Sequence, residues 1–353
     1  MKNNFKFKNW FRNRDFSKIT PKFLTKITTI VIAIFVLSIL LFCLEIYVPL
    51  NPISHETITY TAKKGLGDED IARDLEKLGI IRSNYFFRFY VVVSLQHSYL
   101  QAGKYNLSPK MSTYQIVKKM VQGDVIKEKL VILEGQTVKD VGEYLESKGF
   151  CSKDDFIKLA GQNYSNGFDF LSDKPNDVGL EGYLFPDTYE ISEGEECRDI
   201  LDIALANFGK KLTPELRAEI ANQNKSIFDI VTMASIIEKE IGGLNDKKIV
   251  SSIFWNRIRI GMPLQSCATV NYVTGKSDRG VLIKDTKIDS PYNTYMYKGL
   301  PKGPISNPGV DSIIAAIYPK KTQYLFYLSG VNGETIFSKT AEEHNAARKK
   351  YLK

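Results

Sequence analysis

The sequence predicts an α+β protein behind a single amino-terminal membrane helix, and three observations carry that prediction. Residues Ile27 to Leu44 run without one charged side chain. After them, short alternating stretches and amphipathic helical stretches follow one another without the regular rhythm that a parallel sheet would demand. Glycine and proline then punctuate the last third, in GMPLQS, DSPYNTY and KGLPKGPISNPG. A chain of 353 residues has room for about two domains. Its 12% aromatic and 25% charged residues are those of a folded protein.

The first 26 residues carry Lys2, Lys6, Lys8, Arg12, Arg14, Lys18, Lys22 and Lys26 against one acid, Asp15, and account for most of the net charge of +8. At about 1.5 Å per residue the charge-free stretch spans roughly 27 Å, enough for a bilayer core. Glu45-Ile46-Tyr47-Val48-Pro49 follows it instead of the small residues of a cleavage site, so an uncleaved anchor is expected. The positive-inside rule puts residues 1–26 in the cytoplasm, 27–44 in the membrane and the rest outside, with 45–56 as a linker. Basic charge clustered beside an apolar span reads as orientation and affinity for an anionic leaflet, not as nucleic-acid binding.

Beyond the linker, Thr57 to Thr61 alternates as a strand and Asp68 to Leu78 forms a helix with Ile71, Leu75 and Leu78 as its apolar stripe. Ser83 to about Gln96 is a second helix, so rich in Tyr, Phe and Val that burial is expected, and Gly103 to Leu107 returns as a strand. Ser112-x-x-Gln115 is a capping box for the next helix. Lys129 to Leu133 is a strand, and Thr137 caps a helix in which VGEYLESKGF repeats the earlier IARDLEKLGI. Helices are expected over Cys197 to Lys211, Thr213 to Asn222, Ile230 to Glu240 with Asp229 as cap, and Lys247 to Arg259. Asp311 to Tyr318 is a last buried helix, before a hairpin around residues 330–333 and a closing helix from Ala341 to Leu352.

The remaining chemistry is narrow. Outside the span stand Cys151, Cys197 and Cys267, an odd number without C-x-x-C spacing, which argues against a disulfide framework or a zinc site and leaves a Cys151–Cys197 pair open. His55, His97 and His344 are scattered, so no metal site and no Ser-His or Cys-His arrangement is expected. With no phosphate-binding or dinucleotide fingerprint, no cofactor is expected either.

One stretch stands out: Leu180-Glu181-Gly182-Tyr183-Leu184-Phe185-Pro186-Asp187-Thr188-Tyr189-Glu190. It is a shaped loop, turned at Gly182 and stiffened at Pro186. Rings around Glu181 disfavour its charged form, which suits a general acid. A loop carboxylate capping backbone amides over aromatic packing fits the same residues. Asp187 reads as a turn residue bound to its own backbone. Tyr183, Tyr189, Tyr292 and Tyr295 are candidates for stacking on sugars or for plain core positions. Glu238, four residues after Ala234, sits at the margin of a buried helical face.

The strand-helix-helix-strand unit behind one anchor resembles the LysM-like module that precedes the catalytic domain of MltG-type (YceG-like) endolytic murein transglycosylases. The blocks LEGYLFPDTYEI, VTMASIIEKE, NRIRIGMPLQS, SPYNTY and GLPKGPISNPG resemble that family's signature blocks in order, over most of residues 129–353. The resemblance implies a LysM-like module at 57–124 and a catalytic domain at 125–353. It implies Glu181 as catalytic acid and base, with Glu238, Gln265, Ser266, Asn293 and Tyr295 lining the same cleft. It further implies peptidoglycan glycan strands as substrate, the cytoplasmic membrane as location and cell-wall synthases as neighbours. Where the family usually reads Leu-Gln-Ser-Asp-Pro-Thr, this chain has Leu264-Gln265-Ser266-Cys267-Ala268-Thr269, which puts that loop's geometry in question. Two other functions fit the residues: a non-catalytic wall-binding scaffold, and a glycoside hydrolase with Asp187, Glu190 or Glu238 as second carboxylate.

Overall fold

The structure is a computed structural model that describes residues 21–162, 164, 167–192, 195–276, 280–331 and 333–352. The chain divides into two units, residues 1–126 and 127–353. Most of the expected basic tail, up to residue 20, lies outside the described residues.

The first unit begins with helix α1, Pro21–Tyr47, of which Thr25–Tyr47 is long and apolar enough to cross a membrane. The helix overruns the charge-free stretch at both ends, because lysine and glutamate are good helix formers and nothing breaks it before Pro49. Arg82 donates to the Leu44 carbonyl in its last turn at 3.4 Å and, just past its end, to the carbonyls of Val48 at 3.1 Å and Pro49 at 2.7 Å. Strands β1, Ile58–Ala62, and β2, Gly103–Leu107, pair antiparallel with Ile58 opposite Leu107. Between them lie α2, Asp68–Lys77, and α3, Asn84–Val93; α4, Thr113–Val121, follows with both bonds of the Ser112–Gln115 capping box in place. Tyr60, Ile71, Leu75, Phe87, Val91, Tyr105, Ile116 and Met120 fill the core.

Two expectations are corrected here. Leu78 is exposed rather than part of the α2 stripe, since the helix ends at Lys77 and Leu78 is its C-cap. Helix α3 is not buried as a whole: only Phe87 and Val91 are, while Tyr85, Phe89, Val92 and Val93 face outward. A helix this rich in apolar residues that touches the core along one side leaves apolar side chains uncovered on the opposite side.

In the second unit, β3, Lys127–Val131, pairs antiparallel with β4, Thr188–Ser192, Val131 standing opposite Thr188. Helices α5, Val138–Ser147, and α6, Lys153–Ala160, lie between them in the chain. Then come α7, Cys197–Lys211, α8, Pro214–Asn222, and α9, Ile227–Glu240. Next are α10, Leu244–Arg259, α11, Cys267–Thr274, and α12, Val310–Ile317. Strands β5, Phe326–Ser329, and β6, Thr335–Ser338, make the expected hairpin before α13, Ala341–Tyr351.

Helix α9 starts three residues earlier than Asp229 would have it. Ser226 is the cap, and Asp229 closes a capping box by accepting from the Ser226 N–H. Every residue from Ile230 to Ile237 is buried, so this helix is the centre of the unit rather than a one-faced surface helix. The pair left open by the sequence is formed: a Cys151–Cys197 disulfide ties the approach to α6 to the start of α7, and Cys267 stays free. The odd cysteine count excluded a framework but not a single bridge.

Candidate active site

The loop carrying Glu181 is held at three points. The Leu180 N–H donates to the Ala160 carbonyl at the end of α6, at 2.8 Å. The Ile132 N–H donates to the Asp187 carbonyl, at 3.0 Å. Between these, the Asn307 side-chain oxygen accepts from the N–H groups of Gly182 and Leu184, at 3.0 and 2.9 Å. Asn307 is itself fixed, its amide and its side-chain nitrogen both donating to the Gln136 carbonyl. Leu180, Tyr183, Leu184 and Phe185 then sink into the core, so the loop has little freedom left. Gly182 has φ +89°, and a Cβ there would stand 2.6 Å from Pro304 and 2.8 Å from Val231. No other residue fits that backbone and that space.

Glu181 is 8% exposed and lies against the amino terminus of α5. The Val138 N–H, an end-of-helix donor without an intrahelical partner, reaches its carboxylate oxygens at 3.0 and 3.2 Å. The Tyr272 hydroxyl donates to Oε2 at 3.4 Å and the Asn307 side-chain nitrogen to Oε1 at 3.5 Å. Burial pushes the Glu181 carboxyl up, the Val138 and Tyr272 donors pull it down, and Asp140 pushes it up again; the balance is about 8. Desolvation therefore outweighs the helix terminus, and the group is poised to give and retake a proton near neutral pH.

The other carboxylates named from the sequence have different duties. Asp187 accepts from the Thr188 N–H at 2.8 Å and from Asn207 at 3.0 Å, the turn role expected of it. Glu190 is exposed on β4 and pairs with Lys127 at 3.3 Å. Glu238 forms an ion pair with Lys247 at 3.0 Å, both side chains under a tenth exposed. Its second oxygen accepts from the Gly309 N–H at 2.9 Å and the Ser312 hydroxyl at 2.7 Å. It thus braces the chain two residues beyond Asn307.

Gln265, Ser266, Asn293 and Tyr295 are brought together, but with one another rather than onto Glu181. Gln265, at φ +51°, donates its N–H to the Thr294 carbonyl at 3.1 Å. Ser266 donates its hydroxyl to Glu240, whose other oxygen accepts from Tyr327 at 2.8 Å. The Asn293 side chain is buried, donating to the carbonyls of Thr286 and Ile288 and accepting from the Tyr295 N–H at 3.0 Å. Tyr295 meets the Cys267 sulfur at 3.2 Å. Cys267 is the first residue of α11, so this departure from the family pattern is accommodated at a helix start. That helix runs from the Glu240 group to Tyr272, and Tyr272 packs on Tyr292 with ring centroids 5.1 Å apart.

Tyr183 and Tyr189 are core residues, not sugar platforms. Tyr183 is wholly buried against Phe170 and Phe208, and Tyr189 donates to the Phe185 carbonyl. Tyr272, Tyr292 and Tyr295 remain partly open. Sequence reasoning missed Tyr272, Asn307 and Glu240. A tyrosine on a short apolar helix reads as core, and Glu240 as a helix-end acid. Asn307 lay inside the block GLPKGPISNPG, quoted without a role for it.

A family model described as the YceG-like family matches residues 60–350. The chain is 34% identical over 315 residues to an endolytic murein transglycosylase of Bacillus subtilis strain 168, covering 86% of this chain and 87% of that protein. It is 30% identical over 332 residues to one of Streptococcus pneumoniae serotype 2 strain D39, but spans only 60% of that protein's length. A crystal structure of a yceG-like protein from Listeria monocytogenes is similar at 36% identity and TM-score 0.56, covering 83% of this chain and 99% of that one.

Proposed function

This chain belongs to the YceG-like family, and from that premise we propose that it is a membrane-anchored endolytic peptidoglycan transglycosylase, a lyase with Glu181 as its single acid and base. The observation that carries the reading is a carboxyl buried in a loop tied down through Asn307 and Ala160, raised to about 8 and met by the Tyr272 hydroxyl at 3.4 Å. In the first step the Glu181 proton passes to the glycosidic oxygen as the bond from C1 of N-acetylmuramic acid breaks. In the second, the same sugar's 6-hydroxyl attacks C1 and returns its proton to Glu181, closing a 1,6-anhydro ring. No water enters the products. An internal nucleophile gains from proximity and needs no second carboxylate. That requirement weighs against a hydrolase, since Asp187, Glu190 and Glu238 are committed to a turn, a surface pair and a buried pair. An intact, proton-holding Glu181 weighs against a scaffold without activity.

Residues 1–26 are then the cytoplasmic tail, 27–44 the membrane crossing, 45–56 the linker, 57–124 a LysM-like module holding glycan and 125–353 the catalytic domain. Pairing of β1 with β2 around two helices supports that module assignment. Gln265, Ser266, Asn293 and Tyr295, with Glu240 behind them, shape the far side of the cleft, and Glu238 supports it from within. Nascent strands beside cell-wall synthases are the substrate that such an anchor can reach.

Digestion of purified glycan strands in heavy-oxygen water tests the reaction. New ends should lack the mass of one water and carry no heavy oxygen; labelled reducing ends would make the enzyme a hydrolase. A smaller effect is expected of Tyr272→Phe. Its hydroxyl stabilises the Glu181 anion, so its loss should move the alkaline limb of the pH–rate profile upward, by less than about 1 unit for a bond this long. An unmoved limb would leave Tyr272 no part in tuning Glu181.

A further inference from the structure

The uncovered side of α3 calls for an occupant. Tyr85, Phe89, Val92 and Val93 are 74%, 56%, 58% and 58% exposed, and their spacing of four, three and one puts them on one helical stripe opposite Phe87 and Val91. Soluble surfaces seldom carry such a continuous apolar stripe without a use for it. The helix's charged residue, Arg88, turns aside to Glu69, at 3.0 Å.

The stripe also has an address. Phe42 of α1 packs on Phe89 edge-to-face with centroids 5.4 Å apart, and on Phe86 at 6.4 Å. Phe42 lies five residues before the end of α1, roughly 8 Å below the level of Tyr47 at about 1.5 Å per residue. Three other contacts fix this arrangement. Arg82, just before α3, donates to the Leu44 carbonyl of α1 and to those of Val48 and Pro49 directly after it, Thr113 donates to the Glu45 carbonyl at 3.1 Å, and the Tyr47 and Tyr114 rings meet at 5.7 Å. A helix packed at the level of Phe42 cannot stand clear of the bilayer that α1 enters.

We propose that the stripe Tyr85, Phe89, Val92 and Val93 lies in the outer leaflet, so that α3 is a second, interfacial membrane contact that orients the first unit on the lipid surface. The proposal rests on the reading of α1 as a membrane-crossing helix. The occupant is lipid because the face continues the lipid-facing surface of α1 through Phe42. An interfacial helix of this kind buries its apolar side at the boundary of headgroups and acyl chains.

Spin labels on the full-length chain, in bilayers of phosphatidylethanolamine and phosphatidylglycerol, test this. With Cys43 and Cys267 replaced by serine, single cysteines are introduced as Phe89→Cys or Val93→Cys, exposed sites whose replacement opens no core. Leu37→Cys within α1 and Arg73→Cys on the exposed side of α2 serve as references. Labels at 89 and 93 should collide with oxygen more than with a soluble nickel reagent, giving a positive depth parameter as at Leu37, while Arg73 gives a negative one. A negative value at 89 and 93 with a positive one at Leu37 overturns the proposal and leaves the anchor standing. A negative value at Leu37 removes both. Exclusion of oxygen and nickel alike would mean that protein covers the face, which also overturns it.

Discussion

Glu181→Gln is expected to keep the fold and cut glycan cleavage by at least about 10²-fold, the low end of what general acid–base catalysis contributes. The amide preserves size and can still meet Asn307 and Tyr272, but it has no proton to deliver. Wild-type turnover should fall as pH rises through about 8, where the carboxyl loses the proton that the leaving oxygen needs. Stability carries the same signature. With a folded value of about 8 against an ordinary 4.5, folding favours the neutral acid; that contribution is complete below 4.5 and is lost as pH climbs through 8. The variant should therefore gain melting temperature relative to wild type between pH 5 and pH 9, with a limit of a few kcal/mol at about 1.4 kcal/mol per unit. Near-normal cleavage by correctly folded Glu181→Gln would move the acid elsewhere.

Gly182→Ala is expected to be the most damaging single methyl group in the catalytic unit. A left-handed backbone costs a residue with a Cβ about 1–2 kcal/mol, and overpacking a tight site costs about 1–3 more. Here the Cβ would press on Pro304 and Val231, the second of which belongs to the buried centre of α9. A fall in melting temperature on the order of 10 °C should follow, given about 2–4 °C per kcal/mol for a unit of this size. Activity should fall further than stability explains, because any shift of the loop moves Glu181 relative to Val138 and Tyr272. Gly79→Ala is the control: φ is +66°, but nothing lies within 4 Å, so only the backbone cost applies. Equal losses at the two positions would show that the contact with Pro304 and Val231 yields freely.

The apolar span and the helix caps at Ser112, Thr137 and Thr213 were legible because each depends on residues a few positions apart. A charge-free stretch, a Ser-x-x-Gln box, or a glutamate followed by glycine and an aromatic run is complete within its own segment. At the start of α9 the expected cap, Asp229, is instead the partner of the actual cap, Ser226, in a capping box.

What the sequence left open depends on distances that it does not contain. Asn307 stands 126 positions after Glu181 and Tyr272 stands 91 after it, yet these side chains and the end of α5 form its surroundings. The raised proton affinity of Glu181 follows from burial, a property of packing, so residue type alone could support a catalytic acid or a structural cap. The same holds for the acids beside it in the chain. Only the tertiary structure gives Asp187 to Asn207, and Glu238 to Lys247 and Gly309. It also closes the Cys151–Cys197 bridge and leaves one side of the largely apolar α3 bare. Composition determined that α3 would seek cover; which side found it in the core, and which side was left exposed, was decided by the packing of Phe87 and Val91 inward and of Phe42 against Phe89.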